Sequence, residues 1–336
     1  MIKRILVTGG TGFVGSHLLD ELIQRRDNRA EKLEIYASRR YHLSRRDKVM
    51  HLENSVKWVD CDLTDPISTN SLISTVKPHE IYHMAAQSFV SPSWLHPNLY
   101  MSVNYGATVN ILDAVRSFVP DCRILLPGSG EEYGSVSATD LPITDRTLLQ
   151  PVNPYAVTKI AQDLIGYVYF MSYGLNVIRL RTFNHEGPRR EHYFGIASYA
   201  YQIAKIEKGL QEGKIYVGDI EDKRNFTHVL DVVGAYQEAM KIAQPGKLYL
   251  VGSEDEKNID TFRGVIERLI SKSTYKNEIT LVRDIKLVRP TTVPYLIADT
   301  SDFANMTNWK PKFSLDAILD DVLAYWRKRV ESDPYL

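Results

Sequence analysis

A short apolar run, Ile5-Leu6-Val7, ends at Thr8-Gly9-Gly10-Thr11-Gly12-Phe13-Val14-Gly15 and gives way at once to the helix-patterned Ser16-His17-Leu18-Leu19-Asp20-Glu21-Leu22-Ile23. Strand, glycine turn and helix in this order constrain the chain more than any other stretch. The glycines at 9, 12 and 15 divide three tasks: a tight turn, a backbone able to approach a pyrophosphate, and close packing of helix on strand. The helix N-terminus then supplies unpaired N–H groups and a positive dipole end for phosphate. The segment therefore predicts dinucleotide binding, with Phe13 and Val14 inside the binding turn.

The strand–helix alternation continues. Leu33-Glu34-Ile35-Tyr36-Ala37-Ser38 reads as a second strand, followed by Arg39-Arg40 where an acidic residue would hold the ribose diol of NAD. Two guanidiniums can instead pair with a 2′-phosphate, so NADP is expected, with NAD as the alternative. The competing reading makes Arg39, Arg40, Arg45 and Arg46 a solvated basic loop. Further strands lead into Asp62-Leu63, into Ala85-Ala86-Gln87, and, after a helix from Val103 to Arg116, into Gly128-Ser129-Gly130-Glu131-Glu132-Tyr133-Gly134. Strands separated by helix-sized intervals predict an α/β fold with a doubly wound parallel sheet. Ligands bind such sheets beyond the carboxyl ends of the strands, so these post-strand segments should line one crevice.

Pro154-Tyr155-Ala156-Val157-Thr158-Lys159 opens a helix that runs through Phe170 and stops at Gly174. Residues four apart leave a helix from one face, so Tyr155 and Lys159 are neighbours. A phenol is a poor base at neutral pH, and an adjacent ammonium favours its phenolate. Taken alone, the pair is more often a surface feature of an amphipathic helix. The strand Val177–Arg181 leads to the polar loop Asn184-His185-Glu186-Gly187-Pro188-Arg189-Arg190. Beyond it the pattern becomes less regular, with a helix near 197–209, a strand at Lys214–Gly218, and another helix near Asp231, capped by Thr227 or Asp231. Leu248–Val251 reads as a sheet strand, and Leu315 to Arg329 as an amphipathic helix. The expected division is a nucleotide-binding domain of residues 1–181, rejoined by 228–253, and a smaller mixed α/β substrate domain of 182–227 and 254–336.

Composition excludes several classes. Lys+Arg and Asp+Glu are equal at 41 each, so no net field favours nucleic acid or a membrane surface. Two cysteines, Cys61 and Cys122, form no disulfide framework and no metal-ligand spacing. No apolar run reaches membrane-spanning length, and a cytoplasmic location is expected.

Together these segments resemble the extended short-chain dehydrogenase/reductases, and within them the enzymes acting on GDP-mannose and GDP-4-keto-6-deoxymannose. The resemblance covers nearly the whole chain. It is carried by Gly9–Gly15, Ala85–Val90, Ser129–Gly134, Tyr155 with Lys159, Asn184–Arg190, Lys223–Thr227 and Arg289-Pro290. It implies a Rossmann-type fold and a nucleotide-sugar 4,6-dehydratase converting GDP-mannose to its 4-keto-6-deoxy product with NADP recycled internally. The same segments are similar to the NAD(P)H-dependent 4-keto-6-deoxymannose reductase; a 4-epimerase and a non-catalytic NADP-binding protein are further alternatives.

As the dehydratase resemblance implies, Tyr155 takes the sugar 4-hydroxyl proton while hydride leaves C4, and Lys159 tunes the phenol and holds the nicotinamide ribose. Ser129 hydrogen-bonds the new ketone, and Glu131 moves the C5 proton to the departing 6-hydroxyl. The cofactor set it implies is Gly9, Gly12, Phe13, Val14, Gly15, Arg39, Arg40, Asp62, Leu63, Ala85, Ala86, Tyr155 and Lys159. Gln87, Asn184, Arg190, Arg224 and Arg289 match substrate-binding positions, and His185 reads as a loop-packing residue. Gly130 departs from the serine usual in dehydratases, and Thr292 from the acid that commonly meets the guanosine ribose. The resemblance also implies a homodimer or homotetramer built on the helices near Val103–Arg116 and Tyr155–Phe170.

Overall fold

The computed structural model describes residues 2–28, 31–41 and 43–333. β1 (Lys3–Thr8), β2 (Leu33–Arg39), β3 (Lys57–Asp60), β4 (Glu80–His83), β5 (Arg123–Ser129), β6 (Val177–Thr182) and the strand Leu248–Val251 form one seven-stranded sheet. Its order is Leu248–Val251, β6, β5, β4, β1, β2, β3. Every adjacent pair is parallel. The order reverses direction at β1, and that switch point opens the crevice.

Parallel strands buried on both faces read as continuous apolar runs, which is why Ile5, Leu6 and Val7 all vanish into the core. α1 (Phe13–Asn28), α2 (Pro66–Val76), α3 (Pro97–Tyr100), α4 (Ala107–Phe118), α5 (Pro154–Tyr173), α6 (Gly195–Glu207) and α7 (Val229–Ile242) follow in chain order. Leu18, Leu19 and Leu22 of α1 join Val232, Val233 and Tyr236 of α7 over one face of the sheet. Leu72, Ile73 and Val76 of α2 join Ile111, Leu112 and Val115 of α4 over the other. A separate core gathers α6, α8 (Phe262–Ser271) and α10 (Leu315–Ser332) around Ile203, Ile266 and Trp326. α9 (Ser301–Thr307) returns to the sheet, with Phe303 and Trp309 in the first core.

Local chemistry fixes the element ends. Asp65 caps α2 through the N–H groups of Ile67 and Ser68, and Gly174 ends α5 in the left-handed region at φ 67. Two expectations are corrected. The helix expected to open at Val103 begins as a π-turn over Met101–Gly106 before becoming α4. α7 is capped by neither Thr227 nor Asp231: Leu230 N–H donates to His228 Nδ1, while Asp231 accepts from the backbone of Lys312 and Phe313. Pairing of Lys214–Val217 with Thr280–Arg283, and of Lys223–Asn225 with both Ile259–Thr261 and Tyr295–Leu296, joins segments far apart in sequence.

Candidate active site

Beyond the carboxyl ends of β1, β4, β5 and β6 lies a crevice of about 770 Å³. It is lined by Gly9, Gly12, Phe13, Val14, Gly15, Ala86, Ser129, Glu131, Tyr155, Asn184, Arg190, Arg224 and Arg289, all anticipated from sequence. Asp62, Leu63, Ala85, Gln87, Lys159, Arg39 and Arg40 lie outside that lining.

The glycine turn is a cradle that side chains would fill. Gly9 adopts φ 63, and a Cβ there would fall 2.7 Å from Ala85 N. A Cβ on Gly15 would fall 2.3 Å from Gly9 O. No acidic residue occupies the first turn of α1, so its N–H groups face the crevice without a competing carboxylate. These features fit the pyrophosphate of a dinucleotide.

The ribose end differs from expectation. Arg39 is already engaged: Nε donates to Asp60 Oδ1 at 3.0 Å, Nη1 lies 3.5 Å from Glu53, and the guanidinium sits over Trp58. Arg46 pairs with Glu53, and Arg45 lies between Asp47 and Glu191. Arg40 is exposed, and its backbone N–H donates to Ser44 Oγ. Acids contributed by other segments have neutralised much of the charge legible in the Ser38-Arg39-Arg40 run. Asp62 is exposed, and the Thr64 hydroxyl and N–H hold its carboxyl below the usual range. Leu63 is buried in the sheet core, where its carbonyl accepts from Asn110.

At the end of β5, Ser129 starts a single 3-10 turn, Gly130–Tyr133. Its Oγ accepts from Glu131 N–H at 3.2 Å, and the hydroxyl lies near the Tyr155 phenol. Burial pushes that phenol well above its ordinary pKa, and the Ser129 hydroxyl works in the opposite direction. Lys159, one turn after Tyr155 on α5, makes no hydrogen bond to the phenol among the described residues. Its Nζ instead donates to Pro127 O and Gln162 Oε1, each at 2.6 Å, in a buried position. Burial brings Lys159 down to about 8, opposed by the carboxylates of Glu132 and Asp163.

Glu131 faces the crevice from the same turn. Asn153 Nδ2 donates to its Oε2 at 2.9 Å, and Arg289 Nη1 lies 3.7 Å from Oε1. Asn153 also caps α5, accepting from Ala156 N–H at 2.8 Å. Sequence reading passed over Asn153, although Asn directly before Pro at a helix start is a recognisable cap. Gly130 packs under the Phe183 ring, where a Cβ would stand 3.0 Å from the nearest ring carbon.

Asn104 was missed as well. Its Oδ1 accepts from Gln87 N–H at 2.7 Å, and its amide donates to Gln87 O and to Thr158 Oγ1. It thus ties the loop after β4 to α5, and it sits in the π-turn that periodicity does not reveal. Across the crevice, His185 stacks on Phe13, and burial lowers it to about 4, so it is neutral. Arg190 lies over the rings of both Phe13 and Phe194. Arg224 is buried beside Asp222, at 3.2 Å. Among the described residues no group of three or more His, Cys, Asp or Glu is placed to hold a metal ion.

A parallel doubly wound sheet with this glycine cradle and a Ser/Tyr/Lys set at its switch point defines an extended short-chain dehydrogenase/reductase. The family follows from comparison: a sequence model of GDP-mannose 4,6 dehydratase matches residues 6–322, and the chain belongs to that family of nucleotide-sugar enzymes. Its relatives include the GDP-6-deoxy-D-mannose reductase of Pseudomonas aeruginosa, 30% identical over 99% of this chain and 100% of that protein. They also include GDP-mannose 4,6 dehydratase 1 of Arabidopsis thaliana, 30% identical over 94% of this chain and 88% of that protein. Among solved structures, RMD from Pseudomonas aeruginosa complexed with NADPH matches with a TM-score of 0.79 and 28% identity, over 98% and 100% of the two chains. A UDP-glucose 4-epimerase from Thermotoga maritima shares the fold, with a TM-score of 0.84 and 24% identity over 97% and 99% of the two chains.

Proposed function

We propose that the chain is a nucleotide-sugar 4,6-dehydratase, converting GDP-mannose to GDP-4-keto-6-deoxymannose. The observation that carries this reading is Glu131: a carboxylate in the crevice beside Ser129, held from the side by Asn153. A bound nicotinamide dinucleotide supplies the acceptor for the C4 hydride and returns that hydride to C6. Tyr155 takes the 4-hydroxyl proton, and Ser129 hydrogen-bonds the oxygen as it becomes a ketone. The ketone acidifies C5–H; Glu131 accepts that proton and delivers it to the 6-hydroxyl, which leaves as water, and C5 regains a proton when hydride reaches C6, balanced by the one Tyr155 took from the 4-hydroxyl. Arg224 and Arg289, forked cations in the same crevice, suit the diphosphate.

NADP remains the proposed cofactor, supported by exposed Arg40 and by the NADPH complex of the Pseudomonas structure. We take the two lobes to divide as 1–181 with 228–253 and 182–227 with 254–336, α9 reaching back onto the sheet. A homodimer or homotetramer is supported by Leu164, Tyr167, Val168 and Met171, all exposed on α5. Among the described residues no helix is long and apolar enough to cross a membrane.

A second reading is supported by the Pseudomonas relative, which this chain spans end to end, and by Gly130: reduction of the 4-keto sugar, with Tyr155 as the acid and no call on Glu131. One experiment separates the two. The purified protein with GDP-mannose and catalytic NADP should give a product lighter by one water. Unchanged substrate mass, with NADPH consumed on the 4-keto-6-deoxy sugar, establishes the reductase instead.

A further inference from the structure

Beneath the site lies a sealed group of charges that the reaction as written does not use. Glu132 follows Glu131 but turns inward and is fully buried. Its Oε1 accepts from Ser129 N–H at 2.7 Å, and its Oε2 from Arg181 Nε at 2.7 Å. Arg181 reaches on to Asp163 Oδ2 at 2.7 Å and to Tyr133 Oη at 3.0 Å. Asp163 is gripped again by Arg179, at 2.6 and 2.8 Å. One turn before Asp163 on α5 stands Lys159. The space is shaped for this carboxylate: a Cβ on Gly128 would lie 2.5 Å from Glu132 Oε1.

Three buried cations, Lys159, Arg179 and Arg181, thus share one compartment with two buried carboxylates, Glu132 and Asp163. A guanidinium does not give up its proton in a protein, so any excess positive charge is relieved at Lys159. Burial works to neutralise Lys159 and Glu132 alike, and each favours the charged form of the other. The charged groups that act on Lys159 are Asp163 from α5 and Glu132 from the turn after β5, and His83 from β4 feels its charge; Arg181, with Tyr133 on its far side, lies beyond the two carboxylates, and Tyr155 stands one turn before Lys159 on α5. Burial and the nearby lysine hold His83 neutral, at about 3.

We propose that Glu132 is a positioning residue for this reaction: it fixes Ser129 through its backbone N–H and, with Asp163, keeps Lys159 an ammonium beneath Tyr155. The proposal rests on the acid–base reading of Tyr155 and Lys159, which the dehydratase and reductase readings share. It gives the buried glutamate a task that Glu131, one residue earlier, cannot perform from the crevice.

The test is Glu132→Gln, which keeps the shape and removes the charge. Lys159 then loses its proton more easily, so the alkaline limb of the kcat–pH profile moves to lower pH, by about one unit or more. On the alkaline side of the profile the variant falls at least ~10-fold below wild type, while the loss narrows as pH drops. Glu132→Asp, which restores the charge, brings the limb back. A loss of equal size at every pH, or an unmoved limb, overturns the proposal. Asp163→Asn should move the limb in the same direction, and it stands as the test if Glu132→Gln does not fold. An NMR titration of carbon-labelled lysine reads the Lys159 proton without turnover; an unshifted titration refutes the role of Glu132 even if no nucleotide sugar is turned over.

Discussion

Asn153 holds two parts of the site at once, and its two bonds can be cut separately. Its Oδ1 caps α5, the helix that carries Tyr155 and Lys159, while its Nδ2 holds Glu131. Asn153→Ala removes both. Loss of the cap costs about 1 kcal/mol of stability, a melting shift of roughly 1–2 °C for a chain of this length. Asn153→Asp keeps the cap, because aspartate is as good an N-cap, but it replaces the amide donor with a carboxylate facing Glu131. A hydrogen bond to a charged group is worth about 1.5–3 kcal/mol, so elimination should slow by ~10- to 100-fold. Adjacent carboxylates repel, which deepens the loss in the aspartate variant. The assay pairs a melting curve with two rates: exchange of hydride at C4 with labelled cofactor, and release of water followed by product mass. The expected result for Asn153→Asp is an unshifted melt, near-normal C4 exchange and slow elimination. Elimination at the wild-type rate would refute the claim that Asn153 aims Glu131.

Glu131→Gln should abolish water elimination and retain hydride exchange at C4; full activity would assign the base to another residue. Arg40→Ala should raise KM for NADP more than for NAD, whereas Arg39→Ala, whose guanidinium Asp60 and Glu53 already hold, should change that ratio less. Equal effects on both cofactors would reduce the basic loop to bulk charge. Arg181→Leu strips the buried Glu132 carboxylate of its guanidinium, leaves Asp163 with Arg179 alone, and should cost about 3–5 kcal/mol in a denaturant melt. A loss under about 1 kcal/mol would mean that water enters the compartment.

The alternation of strands and helices, the glycine turn and many of the crevice residues were legible because each rests on local chemistry: a period, a turn residue, a residue type after a strand. What escaped reading depends on partners distant in sequence. Arg39 reads as a free phosphate ligand until Asp60 and Glu53 are folded against it. Lys159 reads as the neighbour of Tyr155 on one helix face, and only the fold adds that Pro127 O and Gln162 hold its Nζ. Asn104 lies in a π-turn, which leaves no mark in hydrophobic periodicity. The small strands at 214–217, 223–225 and 280–283 are too short to show alternation, and they exist because remote segments pair with them.

Gly130 bears directly on the choice between dehydratase and reductase. If the serine usual there were needed to assist the departing hydroxyl, this chain would lack that help. The packing adds a steric reason for glycine, since a Cβ at 130 would crowd the Phe183 ring at 3.0 Å and the ring would have to give. Glycine therefore suits the packing here whichever reaction occurs, so its support for the reductase reading is shared with a steric one. Glu131 carries the proposed dehydration, although reductase-like sequences also have a glutamate at this position. A reductase needs only Ser129 and Tyr155 around the C4 oxygen, and no step in it uses a carboxylate facing C5. Yet Glu131 is held by Asn153, the residue that caps the helix of Tyr155, so the base and the phenol share one anchor. Arg289, suited to the diphosphate, lies 3.7 Å from the same carboxylate, so a bound diphosphate would draw that guanidinium away from Glu131. The proposed elimination would use that carboxylate, and the Glu131→Gln rates together with the product mass decide between it and simple reduction of a ketone.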